Sequence, residues 1–67
     1  MAIVKVIEVL ASSEKSFDDA VQQAVNQASE SIKGIKSVYI KEMKAEVSNN
    51  KVVSYGINAK ISFDVNR

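Results

Sequence analysis

The stretch from Val52 to Val65 constrains this chain more than any other. Val53, Tyr55, Ile57, Ala59, Ile61, Phe63 and Val65 share one parity and are all apolar. Ser54, Gly56, Asn58, Lys60, Ser62 and Asp64 occupy the other, and none carries a large apolar side chain. Strict alternation over that length marks a half-buried β-strand, odd face on a core and even face elsewhere. A helix would spread the same seven residues around its whole circumference.

A strand of that kind needs a cover, and little chain is left to supply one. The protein has 67 residues, room for a single domain over 1–67 near the lower limit for a lone core. Small folds compensate with disulfides, a structural metal or oligomerisation. There is no Cys and no His, which removes disulfides, thiolate metal sites and the commonest zinc ligand. Oligomerisation remains. Nine basic residues against eight acidic give a net charge of +1, too little to argue for nucleic acid. No apolar run approaches a membrane span, and Met1-Ala2 leads into strand-like sequence without a signal peptide's basic stretch and cleavage site. A cytoplasmic protein with no membrane or nucleic-acid partner is the expectation.

Ala2 to Leu10, AIVKVIEVL, is rich in β-branched residues, interrupted only by Lys5 and Glu8. Both faces are largely apolar, as in a central strand or an edge strand covered by a neighbouring subunit. In so small a chain the second is favoured. Ala11 to Lys15 is polar and turn-like. Ser16 then reads as a helix N-cap with Asp19 at N3 in a capping-box arrangement, and Asp18 beside it suits the positive end of the helix dipole. From Phe17 the apolar residues run Ala20, Val21, Ala24, Val25, Ala28 and Ile32, a three-four spacing. Lys33 falls in the last turn, and Gly34 stands where a C′ glycine belongs. Ala20, Ala24 and Ala28 form a ridge small enough to lie close on a sheet.

Ile35 to Ser48 reads as a second strand whose pattern changes phase. Val38 and Ile40 are apolar on even positions, while Met43, Ala45 and Val47 are apolar on odd ones. One extra residue near Lys41-Glu42, a β-bulge, reconciles the halves; the alternative is that the second half leaves its own core for a subunit contact. Ser48 to Lys51 is a hairpin turn, with Asn49-Asn50 tolerant of positive φ. The order strand, helix, strand, strand predicts an α+β domain: three antiparallel strands in the order 1-3-2, one helix across them, and a right-handed crossover.

The chemistry is sparse. No nucleophile motif and no glycine-rich phosphate loop is present, and the only glycines are Gly34 and Gly56, so an enzyme is not expected. Gly56, mid-strand, costs stability unless a backbone or ligand comes close or a twisted contact needs relief. Ser37 and Tyr39 share its non-core parity. Glu42, Lys44 and Glu46 alternate in sign, which reads as a salt-bridge ladder rather than a metal site.

Taken whole, the chain resembles the dodecins, short β-α-β-β proteins that assemble into hollow dodecamers. VIEVLASSEKSFDDAVQQAVNQA is similar to the family's first strand, its "GTS"-like turn and its helix. Ile35 to Val47 and SYGINAKISFDV are similar to its second and third strands, ending in a "V-x-F" signature, here Ile61-Ser62-Phe63. The resemblance implies a homododecamer and binding of a flavin (FMN, FAD or riboflavin) stacked between tryptophans at an intersubunit two-fold axis. Ser37 falls at the stacking tryptophan's position and Gly56 at the ring-edge glutamine's. Lys44 stands where some relatives place an arginine near the ligand, and Tyr39 is the nearest substitute platform. Because serine has no π-face and glycine no amide, the implied flavin site is weakened. The chain resembles the branch that lacks the tryptophan, in which calcium or another cation is associated with some members. Two functions follow from the resemblance: a small-molecule binding or storage assembly, or a flavin-free dodecamer with a structural or calcium-binding role, its metal ligands undetermined.

Overall fold

Residues 3–65 are described by the structure, a computed structural model. Strand β1 (Val4–Ser13), helix α1 (Phe17–Ala28), strand β2 (Ile35–Ser48) and strand β3 (Lys51–Asp64) follow in that order. The strands form one antiparallel sheet in the order β1-β3-β2, as predicted. β3 is central because its alternation lets both neighbours pair along it, Ile7 with Ile61 on one side and Val38 with Ile61 on the other.

α1 lies across the odd face of β3. Its alanine ridge supplies Ala20 and Ala24, and β3 supplies Ile57, Ala59 and Ile61; these five are the buried core. Ile7, Val9 and Ala11 of β1 and Val38 and Ile40 of β2 pack at its margins. Phe17, at the start of α1, meets the Tyr55 ring edge-on with centroids 5.1 Å apart.

The helix begins as its sequence prescribes. Ser16 Oγ accepts from the Asp19 backbone N–H at 2.9 Å. The second arm of the capping box goes elsewhere, for the Asp19 carboxylate accepts from Ser13 Oγ at 2.6 Å. That bond ties the helix start to the end of β1. It accompanies a second departure, since Ala11 to Ser13 continue the strand instead of turning. They pair with Ile57, Gly56 and Tyr55, because β3 is long enough to offer their backbone groups partners.

The helix ends one turn early. It stops at Ala28, with Ser29 as its C-cap and the Ser29 N–H donating to Val25 O at 2.9 Å. The residues after it return to Ala28 O, from Ser31 N at 3.2 Å and Ile32 N at 2.9 Å. Lys33 therefore stands outside the last turn, and Gly34 is not a C′ residue. Its φ of +79° serves the entry to β2, where Gly34 O accepts from Asp64 N at 3.0 Å. Glycine is required there, since a Cβ would also stand 3.3 Å from Asp64 O.

The phase change in β2 is a bulge. The pairing skips Lys41, from Ile40 opposite Ala59 to Glu42 opposite Asn58. Val38, Ile40, Met43 and Ala45 consequently all pair with odd residues of β3. Further shifts fall between Ile35 and Ser37 and between Glu46 and Val47. Asn49 and Asn50 close the hairpin with φ of 54° and 65°, the two positive values of a type I′ turn.

A candidate ligand face on the outer side of the sheet

The even residues of β3 form the floor of the sheet's second face, which no helix covers. Cross-strand pairing arranges that face in rows. At one end Ser62 lies between Val6 and Ser37. Next, Lys60 lies between Glu8 and Tyr39, then Asn58 between Leu10 and Glu42. Gly56 follows between Ser12 and Lys44, and Glu46 pairs with Ser54.

Leu10, Ser12, Glu42, Lys44, Glu46, Ser54, Gly56 and Asn58 line an open trough of about 730 Å³. Its floor is bare where Gly56 sits. A Cβ there would come no nearer than 3.7 Å to Lys44 Cγ and 3.9 Å to Ala11 O, so a side chain fits and its absence leaves a shallow space. Lys44 stands beside that space and reaches Glu46 Oε2 at 3.5 Å. Both side chains are exposed, which makes the pair a weak tether rather than a lock.

The four residues singled out from sequence fall into two pairs. Lys44 and Gly56 face each other directly. Ser37 and Tyr39 lie toward the other end, with Ser37 opposite Ser62, six residues or about 20 Å along β3 from Gly56. One chain does not bring the four together around one small ligand. Ser37 Oγ is engaged with Ser62 Oγ at 2.6 Å. Tyr39 stands 67% exposed, its ring unpartnered by another aromatic among the described residues.

Between the two ends lies a polar cluster that sequence reading passed over. Lys41, the bulge residue, reaches Glu8 Oε2 at 3.5 Å across the sheet. The Asn58 side-chain amide, then the Lys41 ammonium, hold the Glu8 carboxyl below its ordinary pKa. Asn58 Oδ1 is buried and takes no hydrogen bond from the chain. Asn58 carried a usable signal, a side-chain amide on the same parity as Gly56 and two residues away. Ser12 was beyond reach while β1 was taken to end at Leu10, whereas Leu10 already lay within that strand. Among the described residues no three carboxylates converge as a metal site.

The family profile Dodecin matches residues 3–66. The chain belongs to the dodecin family. No curated protein sequence matches it, but solved dodecins superpose closely. A variant of the Thermus thermophilus dodecin aligns with TM-score 0.92 at 19% identity over 100% of both chains. The Streptomyces coelicolor dodecin aligns with TM-score 0.90 at 21% identity, over 98% of this chain and 94% of that one. The calcium dodecin of Mycobacterium tuberculosis is 26% identical, with TM-score 0.81 over 96% and 91%. In this chain the fold is built by the alternation in β3, the alanine ridge of α1 and the bulge in β2. Among the described residues no helix is long and apolar enough to cross a membrane.

Proposed function

We propose that this dodecin is a homododecameric small-molecule binding and storage protein whose grip on flavin is weakened. The observation that carries the reading is the Ser37–Ser62 hydroxyl pair at 2.6 Å. A position that the family resemblance gives to a stacking tryptophan holds a short polar side chain already satisfied by its neighbour. Gly56 offers flat backbone and no amide for a ring edge. What fits a planar ligand is the remainder: the open trough beside Gly56, the Lys44 ammonium for an anionic group, and the exposed Tyr39 ring on the same face. A flavin bound here has its fixed planar platform only if Tyr39 supplies it, so binding is weak and sequestration rather than catalysis is the role.

A second reading is a flavin-free dodecamer that binds calcium or serves structurally, placing the chain in the tryptophan-lacking branch. Its support is the likeness to the calcium dodecin. Isothermal titration with calcium after chelator treatment tests it; a saturable heat in protein that does not quench riboflavin favours it.

The flavin reading is tested by rebuilding the site. Wild type should quench riboflavin fluorescence poorly. Ser37→Trp restores a platform, and stacking of about 1–3 kcal/mol per ring is the gain to expect. Gly56→Gln, which the space beside Lys44 Cγ accepts, adds a donor and an acceptor for on the order of 1 kcal/mol more. The double variant then binds roughly ten- to a thousandfold tighter, at a factor of ten per 1.4 kcal/mol. Nanomolar binding by wild type, or no gain in an intact dodecameric double variant, refutes the assignment of these positions.

A further inference from the structure

One ion pair crosses the whole outer face of the sheet. Lys41 Nζ on β2 reaches Glu8 Oε2 on β1 at 3.5 Å, although β3 runs between those two strands. Two strand spacings, about 10 Å, separate their backbones, so the two side chains lie over β3 as a bar. Glu8 pairs with Lys60, and Glu42, next to Lys41, pairs with Asn58. The bar therefore crosses the step from Asn58 to Lys60. Asn58 lines the trough and Lys60 does not, so the bar bounds the trough at its Asn58 end.

Three features make this bar easy to open. Lys41 is the bulge residue, and the register passes from Ile40 to Glu42 without giving it a partner on β3. A bulge of that kind re-aims its side chain. Both members of the pair are 46% exposed, and an ion pair so open to water holds weakly. Glu8 also keeps its support when Lys41 leaves. The Asn58 amide is the first cause of its lowered pKa, and Lys60 adds to it, so no carboxylate is stranded. Lys44 offers a second cation close by, paired with Glu46 at 3.5 Å and still more exposed. It stands three residues from Lys41, about 10 Å along the strand. Two lysine side chains at that spacing can meet one group held over the trough between them.

We propose that Lys41 is an exchangeable cation, pairing either with Glu8 or with the phosphate of a planar ligand seated beside Gly56, and that it selects phosphorylated ligands over their unphosphorylated counterparts. The proposal rests on the small-molecule reading of this face and adds a specificity residue to it. A phosphate monoester carries close to two negative charges at neutral pH, more than the single Lys44 ammonium balances. Lys41 supplies the second positive charge. Its departure from Glu8 also clears the step to Lys60 and lengthens the trough. Glu8 and the ligand compete for one ammonium, so the two ends of the ion pair act on binding in opposite directions. A bridge that served only to hold β1 to β2 would behave otherwise, since losing either end would have the same effect.

Fluorescence quenching titrations with riboflavin and FMN test this, at low salt because exposed charges are screened. The pH is kept well above the phosphate's second pKa of about 6, and each variant is first matched to wild type by circular dichroism. Wild type should prefer FMN. Lys41→Met should cut the ratio of the two affinities about tenfold, the worth of one hydrogen bond to a charged group. Glu8→Gln should raise that ratio about two- to fivefold, since the exposed pair no longer has to be broken. Lys41→Arg keeps the charge and should keep the preference. If Lys41→Met does not fold, the sign of the Glu8→Gln effect decides. Where quenching by wild type is too slight to fit, the same set is made on Ser37→Trp. Failure of both chains to bind either ligand sinks the small-molecule reading and this proposal with it. Binding without phosphate preference, a preference that survives Lys41→Met, or a ratio that Glu8→Gln lowers or leaves unchanged overturns the proposal alone.

Discussion

Two alanines set the distance between α1 and the sheet, and the structure predicts that they tolerate enlargement unequally. Ala20 has no exposed surface and Ala24 6%; both pack against Ile57, Ala59 and Ile61. Replacing either with leucine adds three carbons to a closed seam, for which overpacking costs about 1–3 kcal/mol. Ala20 is enclosed, so Ala20→Leu belongs at the upper end, about 3 kcal/mol. Ala24 borders the β1–α1 groove, into which a leucine side chain can turn, so Ala24→Leu costs about 1 kcal/mol within the chain. For a domain of 60–100 residues each kcal/mol moves Tm by about 4–8 °C, so the falls are roughly 12–24 °C and 4–8 °C. Thermal unfolding followed by circular dichroism measures both, at one fixed chain concentration because association raises apparent stability. Native mass measured alongside separates the two effects, because a leucine turned into the groove also obstructs whatever binds there. An unchanged Tm for Ala20→Leu, or a larger fall for Ala24→Leu in chains still assembled, refutes this account of the helix seam.

Gly34→Ala puts a Cβ on a residue at φ +79° and 3.3 Å from Asp64 O, which costs about 1–2 kcal/mol for the left-handed backbone alone; chemical denaturation should show that loss, and a neutral result would mean that the β2 entry relaxes freely. Glu8 titrates below the ordinary carboxyl range because of Asn58 and then Lys41. A lowered folded pKa means that its contribution is present above the unfolded value and fades as pH falls through the folded one. Carbon-detected NMR titration should find that Asn58→Leu returns Glu8 further toward its ordinary pKa than Lys41→Met does, and the reverse order would displace Asn58 as the main cause.

Much of the fold was legible because local pattern and tertiary demand agree in it. Ile57, Ala59 and Ile61 of β3 are apolar since they meet the helix, and alternation of that length admits one reading. The phase change of β2 announced its bulge, as Lys41 is the single residue that reconciles Ile40 with Met43. Legibility failed at the end of β1 and at the C-terminal end of the helix. Ala11 to Ser13 have turn-like composition, yet β3 supplies their backbone with partners, and tertiary pairing overrides composition. Gly34 follows a helical periodicity, yet its positive φ belongs to the junction with Asp64. Glycine signals a left-handed residue without saying which element needs it.

The candidate ligand face was legible only as parity. Alternation correctly put Ser37, Tyr39, Lys44 and Gly56 on one side of the sheet, because parity survives once the bulge is counted. It carried no information on distance along the strands, and there the four separate into Lys44 with Gly56 and Ser37 with Tyr39, about 20 Å of β3 between the extremes. Register supplies that distance, and register follows from the turn at Asn49-Asn50 and the three shifts in β2. A site that draws on both ends therefore needs groups from more than one copy. Met43 and Val47, 57% and 63% exposed on β2, are apolar surface that the chain's own helix does not cover. In the proposed homododecamer, site and assembly are then one problem: a substitution at Met43 or Val47 that loosens the contact between copies should also weaken any ligand held there, with no change in the residues that touch it.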